Sequence, residues 1–532
     1  MNFVPKSILR CSIAILLPFT YAAKGQTIVK VSLPEMLVQI DPMIYGQMLE
    51  NVNDSMIYGG ITDLNGRERI QVTNLLKPLN IPVMRWPGGT VIHEYHWKNG
   101  IGPVDKRPSM ETFAWKGKEN YKFGTDEFLQ WCKKLGTAPY INFNMGNHPD
   151  SRGTLQEALD WIEYVNGETE TEYGKLRSAN GHQKPYGVKF WGVGNENYES
   201  WGKHIKESGS EYADRLLEWT SIIKKKYPDL KLMGVGHTYA WDKDVLEKCT
   251  ETIDFLTQHY YVISKINNDQ IQHAPSSLFA PLKMEAHIKM LSDLLENANK
   301  RAGRRNNPIR LSIDEWNNRH SVNTDGKYSF TRHDPRRQFD VAIAAGMLNT
   351  FIRMSPVVGM ANYIFPVNAH GLIKTVGNND AYLTALYPVF SKYRHWMVGA
   401  KLDVSVKGDA IQVAEIMPTI EGDLDEAKII GDKVAYVDAV AILGNDDIIT
   451  VALVNRNHKN TEKIIVDVPE DYVAKRKWAV EHQDINMGNS VEKRNEIIPR
   501  EEVLKKGKSV LEVEISACGL QLIQFEKKIS KS

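Results

Sequence analysis

The stretch Phe190–Gly202, FWGVGNENYESWG, decides how the rest of the chain is read. An unbroken apolar run of this length fits a strand buried on both faces, as in a parallel sheet. The run stops abruptly at Asn195 and Glu196, and Tyr198 and Trp201 follow within a few residues. A second stretch repeats the pattern: Ile309–His320, IRLSIDEWNNRH, delivers Glu315 beside Trp316. A buried carboxylate is costly unless it is paired or used, so two such strand ends point to a site.

Working outward, eight short apolar segments recur between amphipathic stretches. They are IYGQMLE (44–50), VMRWPGG (83–89), PYINFNMG (139–146), KFWGVGNE (189–196), LKLMGVGH (230–237), DFLTQHYY (254–261), IRLSIDEWN (309–317) and VVGMANYIF (357–365). Between them, TDEFLQWCKKLG, TLQEALDWIEYVNG, YADRLLEWTSIIKKKY and RRQFDVAIAAGMLNTFIRM carry apolar residues every three or four positions, the helical period. Eight alternations of strand and helix predict an α/β fold, a (β/α)8 TIM barrel over residues 42–395. The rival, an open doubly wound sheet, lacks a glycine-rich phosphate loop after its first strand.

Beyond residue 396 the pattern changes to short β-type runs, among them VAYVDAVAIL, DIITVALVNR and GLQLIQFE, separated by turns such as Gly444-Asn445-Asp446. These predict a C-terminal β-sandwich over 396–532, with residues 27–41 contributing an N-terminal strand to it. The absence of a low-complexity linker predicts that barrel and sandwich pack closely.

The N-terminus reads as a signal peptide over residues 1–26: Lys6 and Arg10 precede the apolar stretch SIAILLPFTYAA, too short to span a bilayer. This predicts a secreted or periplasmic protein. Cys11 lies before the apolar stretch, which argues against a lipoprotein. The three remaining cysteines, Cys132, Cys249 and Cys518, show no C-x-x-C spacing, so buried thiols are expected and at most one disulfide. A net charge of +1 gives no electrostatic reason to bind nucleic acid or an anionic membrane. A neutral partner follows, and no further run is long and apolar enough to span a bilayer.

In a barrel of this kind the site forms at the carboxyl ends of the strands. The polar residues expected there are Glu50, Arg85, Asn144, Asn195, Glu196, His237, His259, Tyr261 and Glu315. Glu196 and Glu315, ending the fourth and seventh strands, would face each other across the mouth. Two carboxylates about 5–5.5 Å apart suit retaining glycoside hydrolysis, one as acid/base and the other as nucleophile. Glu196 takes the acid/base role in this reading and Glu315 the nucleophilic one. Asn195 would bind the sugar 2-OH, and Tyr261 with His259 would orient Glu315. Loop aromatics, Trp97 among them, would offer faces for sugar stacking. No metal-ligand spacing is present, and the chemistry calls for no cofactor.

These residues also carry a resemblance. GVGNE (192–196), SIDEWN (312–317), RWPGG with YHWKNGIGPVDKRP (85–108), FGTDEFLQWC (123–132) and DFLTQHYY (254–261) resemble glycoside hydrolase family 51. That family consists mostly of α-L-arabinofuranosidases with a retaining barrel and a C-terminal β-sandwich. The resemblance covers nearly the whole chain after the signal segment. It implies Glu196 as acid/base, Glu315 as nucleophile, and Glu50, Asn195 and Tyr261 around a terminal sugar; homo-oligomers are common in the family. Three positions depart from its pattern: Asn51 in place of His, Thr90 in place of Asn or Cys, and Phe365 in place of Gln. Thr90 counts with the substrate-binding set. The expected function is exo-acting release of terminal arabinofuranose from plant glycans. Its rivals are a hydrolase of another furanoside such as a galactofuranoside, an endo-acting β-glucanase or xylanase, and a non-catalytic carbohydrate-binding protein.

Overall fold

The computed structural model describes residues 26–51, 55–421, 424, 427–505 and 507–528; the predicted signal segment lies, but for Gln26, outside them. Eight parallel strands close on themselves: β1 Gly46–Met48, β2 Val83–Trp86, β3 Ala138–Phe143, β4 Phe190–Val193, β5 Lys231–Gly234, β6 Phe255–Asn267, β7 Arg310–Thr324 and β8 Val358–Tyr363. Neighbours in sequence are neighbours in space. The ring shuts where Asn362 and Tyr363 of β8 pair with Gly46 and Gln47 of β1. A helix follows each strand: α1 Ile70–Leu76, α2 Thr125–Leu135, α3 Leu155–Asn166, α4 Gly209–Lys226, α5 Tyr239–Cys249, α6 Ala280–Arg301, α7 Gln338–Arg353 and α8 Tyr387–Trp396.

Local chemistry sets these boundaries. Ser208 caps α4 by accepting from Glu211 N, and the Glu211 carboxylate returns to the Ser208 N–H, so two otherwise orphaned donors are satisfied. Lys224, Lys225 and Lys226 occupy its last turn, where the helix dipole favours cations. Tyr212, Leu216, Trp219 and Ile223 form the face it buries on the barrel.

The second domain is a β-sandwich. One sheet has seven strands, ordered Val38–Gln39, Ala400–Lys401, Val437–Leu443, Ile449–Asn455, Leu520–Lys527, Tyr472–Val480 and Arg500–Val503. The other has four: Asp403–Lys407, Gln26–Ser32, Glu462–Asp467 and Val510–Ile515. Gln26–Ser32 alternates exposed and buried residues and inserts Val29 and Val31 between the sheets, against Val451, Leu453, Ile464 and Val466. The central strands of the larger sheet are buried on both faces, because their other face packs on α7. Helix α7 is buried from Gln338 through Ile352, between the barrel wall and this sheet. Cys132, Cys249 and Cys518 are buried free thiols. Among the described residues no helix is long and apolar enough to cross a membrane.

Two features of the rim escaped the sequence pattern. First, β6 and β7 run on past the barrel, paired in parallel as far as Ile266 and Val322. Each then turns back in a tight hairpin, at Asn268-Asp269 and at Asp325-Gly326, with positive φ at both turn residues, as two-residue type I′ loops require. Second, the region 396–532 is not all sandwich. A segment of it crosses to the barrel mouth, where Ile420 and Glu421 pair antiparallel with Val262 and Tyr261 of β6.

Candidate active site

Arg85, on β2, organises the mouth. Its guanidinium is buried and donates through Nη1 to Glu315 Oε1 at 2.7 Å and through Nη2 to Asn195 Oδ1 at 2.7 Å, while Nε lies 3.2 Å from Asp314 Oδ2. One cation therefore ties together β2, the end of β4 and β7. Gly89 approaches so closely that a Cβ there would sit 2.4 Å from Glu315 Oε1, so the Pro-Gly-Gly turn has no room for a side chain. Glu50, at the end of β1, accepts from Gly89 N at 3.0 Å.

Glu315 is also gripped from its other side: Tyr261, on β6, donates its hydroxyl to Oε2. Burial alone would raise the Glu315 carboxyl, but His259 and Arg85 outweigh it and pull the group down to about 2. Burial, reinforced by the Glu315 charge, holds the Tyr261 phenol well above its usual range, so it remains a donor.

His259 stands between the two carboxylates. Its Nδ1 lies 2.8 Å from Glu196 Oε1 and 3.6 Å from Glu315 Oε2, and its Nε2 is 3.1 Å from Asp314 Oδ1. Burial disfavours the cation, yet Glu315, Asp314 and Glu196 together push the imidazole up to about 10. Tyr140 completes the underside by donating to Asp314 Oδ2 at 3.1 Å.

Glu196 leaves β4 through Gly194, at φ 99°, and itself sits at φ 42°, a left-handed conformation uncommon for a residue with a side chain and worth roughly 1–3 kcal/mol of strain. The loop is held from beneath. Asn197 Oδ1 accepts from Asn195 N at 3.1 Å, and His93, stacked on His204 at 4.0 Å, bonds Asn195 O at 2.7 Å. Burial first, and His204 second, hold His93 well below the ordinary histidine range, so this support is neutral. With Asn195 Oδ1 taken by Arg85, its buried Nδ2 finds no partner among the described residues. A donor is thus aimed beside the carboxylates for a ligand to use.

One oxygen each of Glu196 and Glu315, with a nitrogen of His259, lie within 4.8 Å of one another. Among the described residues these three are the one histidine–carboxylate group close enough to hold a metal ion, and each already has a protein partner. They open into a cavity of about 820 Å³, within the usual range for small-ligand sites. Glu50, Thr90, Glu196, His259, Tyr261 and Glu315 line it, Asn195 stands at its floor beside Arg85, and His237 lines it stacked on Tyr198 at 3.6 Å.

Trp97 corrects the sequence expectation. It is 1% exposed, stacks on Trp161 at 5.8 Å and donates Nε1 to Glu157 O at 3.0 Å, so it belongs to the aromatic core behind the cleft. Trp115, Tyr198 and Trp201 provide the aromatic lining instead. Asn144 is likewise structural, donating to Ser151 O at 2.9 Å. Of the three departures, Asn51 turns behind the strand and accepts from Trp86 Nε1 at 2.8 Å, whereas Thr90 and Phe365 face the cavity. Asp314 under the floor was missed, as were Arg319, Phe330, Arg332, Glu421 and Leu424 along the outer wall and Glu199 and Gln258 elsewhere in the lining. The Asp325-Gly326 hairpin signal could have announced Phe330 and Arg332; nothing local announces Glu421.

A closed barrel with facing carboxylates at its mouth and a docked sandwich defines a glycoside hydrolase. The α-L-arabinofuranosidase 1 domain model matches residues 75–276, and the α-L-arabinofuranosidase C-terminal domain model matches 314–518. A probable α-L-arabinofuranosidase C of Aspergillus clavatus is 35% identical over 444 residues, 78% of this chain and 82% of that one. An intracellular exo-α-(1→5)-L-arabinofuranosidase 1 of Bacillus subtilis is 28% identical, covering 87% and 91%. The solved α-L-arabinofuranosidase of Thermotoga maritima, in complex with arabinose, superposes with a TM-score of 0.78 at 28% identity, covering 94% of this chain and 99% of that one. The chain belongs to glycoside hydrolase family 51, the α-L-arabinofuranosidases.

Proposed function

We propose that the chain is a retaining α-L-arabinofuranosidase that removes terminal arabinofuranosyl groups from plant glycans. The observation that carries this reading is the approach of Glu196 and Glu315 to within 4.8 Å, near the separation of about 5–5.5 Å that suits double displacement and short of the roughly 6.5–9.5 Å that leaves room for a water between inverting carboxylates. Glu315, held ionised by Arg85 and His259, attacks the anomeric carbon and forms a glycosyl ester. Glu196 protonates the departing oxygen and then takes a proton from the water that hydrolyses the ester. The Asn195 Nδ2 donor meets the sugar 2-OH, a contact that strengthens as charge develops on the ring. Glu50, Thr90, His259 and Tyr261 bound the sugar's pocket. No cofactor enters this sequence of steps.

The names of the fungal relatives support arabinofuranose as the sugar, and that of the Bacillus subtilis relative supports exo action. The test is hydrolysis of p-nitrophenyl α-L-arabinofuranoside followed by proton NMR. First release of arabinose in the substrate's own anomeric form supports retention; the opposite anomer, or full activity in Glu315→Ala, removes Glu315 as nucleophile.

A second reading, a different terminal furanoside, is favoured by Phe365, which packs with Met48, Met56, Ile364 and Ala369 against Tyr261 and gives the pocket an apolar wall. Rates on a panel of aryl furanosides separate the two. Export belongs to the proposal as well, on the basis of Lys6, Arg10 and the apolar stretch after them. N-terminal sequencing of the mature chain checks it: a start between residues 23 and 27 supports export, and an intact Met1 counts against it.

A further inference from the structure

Four residues beyond Glu315 on β7, Arg319 shares the face of the strand that carries the carboxylate. Its guanidinium carbon lies over the Tyr261 ring, 3.3 Å from the centroid, the Tyr whose hydroxyl holds Glu315. Glu421, the residue paired with Tyr261 in the antiparallel ladder, accepts from Arg319 Nη1. The ion pair is the end of the segment that crosses from the sandwich domain. Beyond it, Phe330 and Arg332 continue the wall: Arg319 stands 5.4 Å and Arg332 5.3 Å from the Phe330 ring, and Arg332 stands 4.6 Å from Trp115. Tyr261, Arg319, Glu421, Phe330, Arg332 and Trp115 all line the cavity.

We infer that Arg319 is a specificity-determining residue, donating to a pair of hydroxyls on the bound carbohydrate, and that Glu421 of the sandwich domain is the positioning residue that sets its angle. The inference rests on the reading of Glu315 as the group that meets the sugar. A guanidinium carries five N–H donors in a fixed plane, more than the one Glu421 uses. Stacking on Tyr261 fixes that plane, and 21% of the side chain remains open. The chemistry selects a neutral sugar. Glu421 offsets the charge of Arg319, and in the rest of the lining the acidic Glu50, Glu196, Glu199 and Glu315 outnumber Arg332 and His259, so a uronate is disfavoured where a diol is bound. The sandwich thereby completes the substrate site rather than only bracing the barrel.

The test compares full-length wild type, Arg319→Leu, Arg319→Lys, Glu421→Gln and the exchanged pair Arg319→Glu with Glu421→Arg, measuring kcat, KM and Tm with p-nitrophenyl α-L-arabinofuranoside. Expected are a KM at least about tenfold higher in Arg319→Leu with a smaller change in kcat, the signature of lost binding common to ground and transition states. Arg319→Lys falls short of rescue because it lacks the planar fork. Glu421→Gln raises KM about threefold, a fraction of the value of one charge-assisted hydrogen bond. The exchanged pair recovers Tm but not KM. Recovery of KM by the exchange, or loss of Tm in Arg319→Leu with KM unchanged, overturns the inference and leaves a purely structural ion pair. A wild type inactive on arabinofuranosides counts against the activity proposed above instead, and the same comparison is then made on whichever aryl glycoside of the panel it cleaves.

Discussion

Glu196 and Glu315 begin from the same kind of sequence and finish in opposite circumstances. Glu315 sits within an extended strand that runs on to Thr324, and two cations and a phenol surround its oxygens. Glu196 sits on a loop after its strand has ended, in a left-handed conformation, with His259 and Tyr198 as its partners. Its side chain keeps 14% of its surface exposed against 8% for Glu315. The contrast teaches how one barrel gives two carboxylates two tasks. A nucleophile gains from being ionised and immobile. A group that must give a proton to a leaving oxygen and then take one from water gains from access and from fewer charged neighbours.

The largest effect that would break this contrast is at Glu315. Replacement by Gln keeps the shape and removes the attacking charge, and turnover of an aryl arabinofuranoside should fall by at least ~10⁴-fold. A variant retaining a tenth of wild-type turnover would end the assignment. Glu196→Ala should cost less on a good leaving group, on the order of 10²–10³-fold, because departure needs little help there and only hydrolysis of the ester is slowed. Added azide should restore turnover and yield glycosyl azide; absence of rescue would place the acid/base elsewhere.

His259→Gln sharpens the comparison rather than abolishing it. Removing the cation raises the Glu315 carboxyl, so the acid limb of kcat/KM should move toward higher pH by ~1 unit. The sign follows from the depressed group: Glu315 is active when ionised, and anything that weakens its cationic neighbours protonates it earlier. In the wild type, the raised His259 contributes stability that is complete below ~6.5 and is lost as pH climbs through its folded value, which is about 10. Melting temperature should therefore decline across that alkaline window, and decline less in His259→Gln. The smallest expected effect is at Tyr198, whose hydroxyl donates to Glu196 at 3.3 Å. Tyr198→Phe should lower kcat less than ~10-fold, the value of one neutral-donor hydrogen bond.

The barrel was legible because buried parallel strands write themselves as apolar runs, and strand ends are where polar residues must be explained. Glu50 and Asn195 fall just past such ends, and His259 and Tyr261 fall where β6 reaches the mouth before running on to Asn267. Trp97 was misread because an aromatic in a polar loop looks the same whether its ring faces a ligand or fills a core; only the contact with Trp161 decides. Asp314 was passed over for a related reason. It lies next to Glu315 in sequence, and only the folded chain shows it bonding His259 from below. Glu421 was out of reach of any local pattern, and so was its partnership with Arg319, which spans 102 residues and two domains.

Helix α7, enclosed between barrel and sheet, has a consequence for anyone who treats the sandwich as an accessory module. Cutting the chain near residue 396 would uncover an apolar helix along its whole length and strip the rim beside Tyr261 at the same stroke. Exchange of sandwiches between relatives therefore calls for carrying α7 and the Ile420–Glu421 crossing with them. Calorimetry of the intact chain should show one melting event, because α7 and the outer face of the larger sheet are buried against each other.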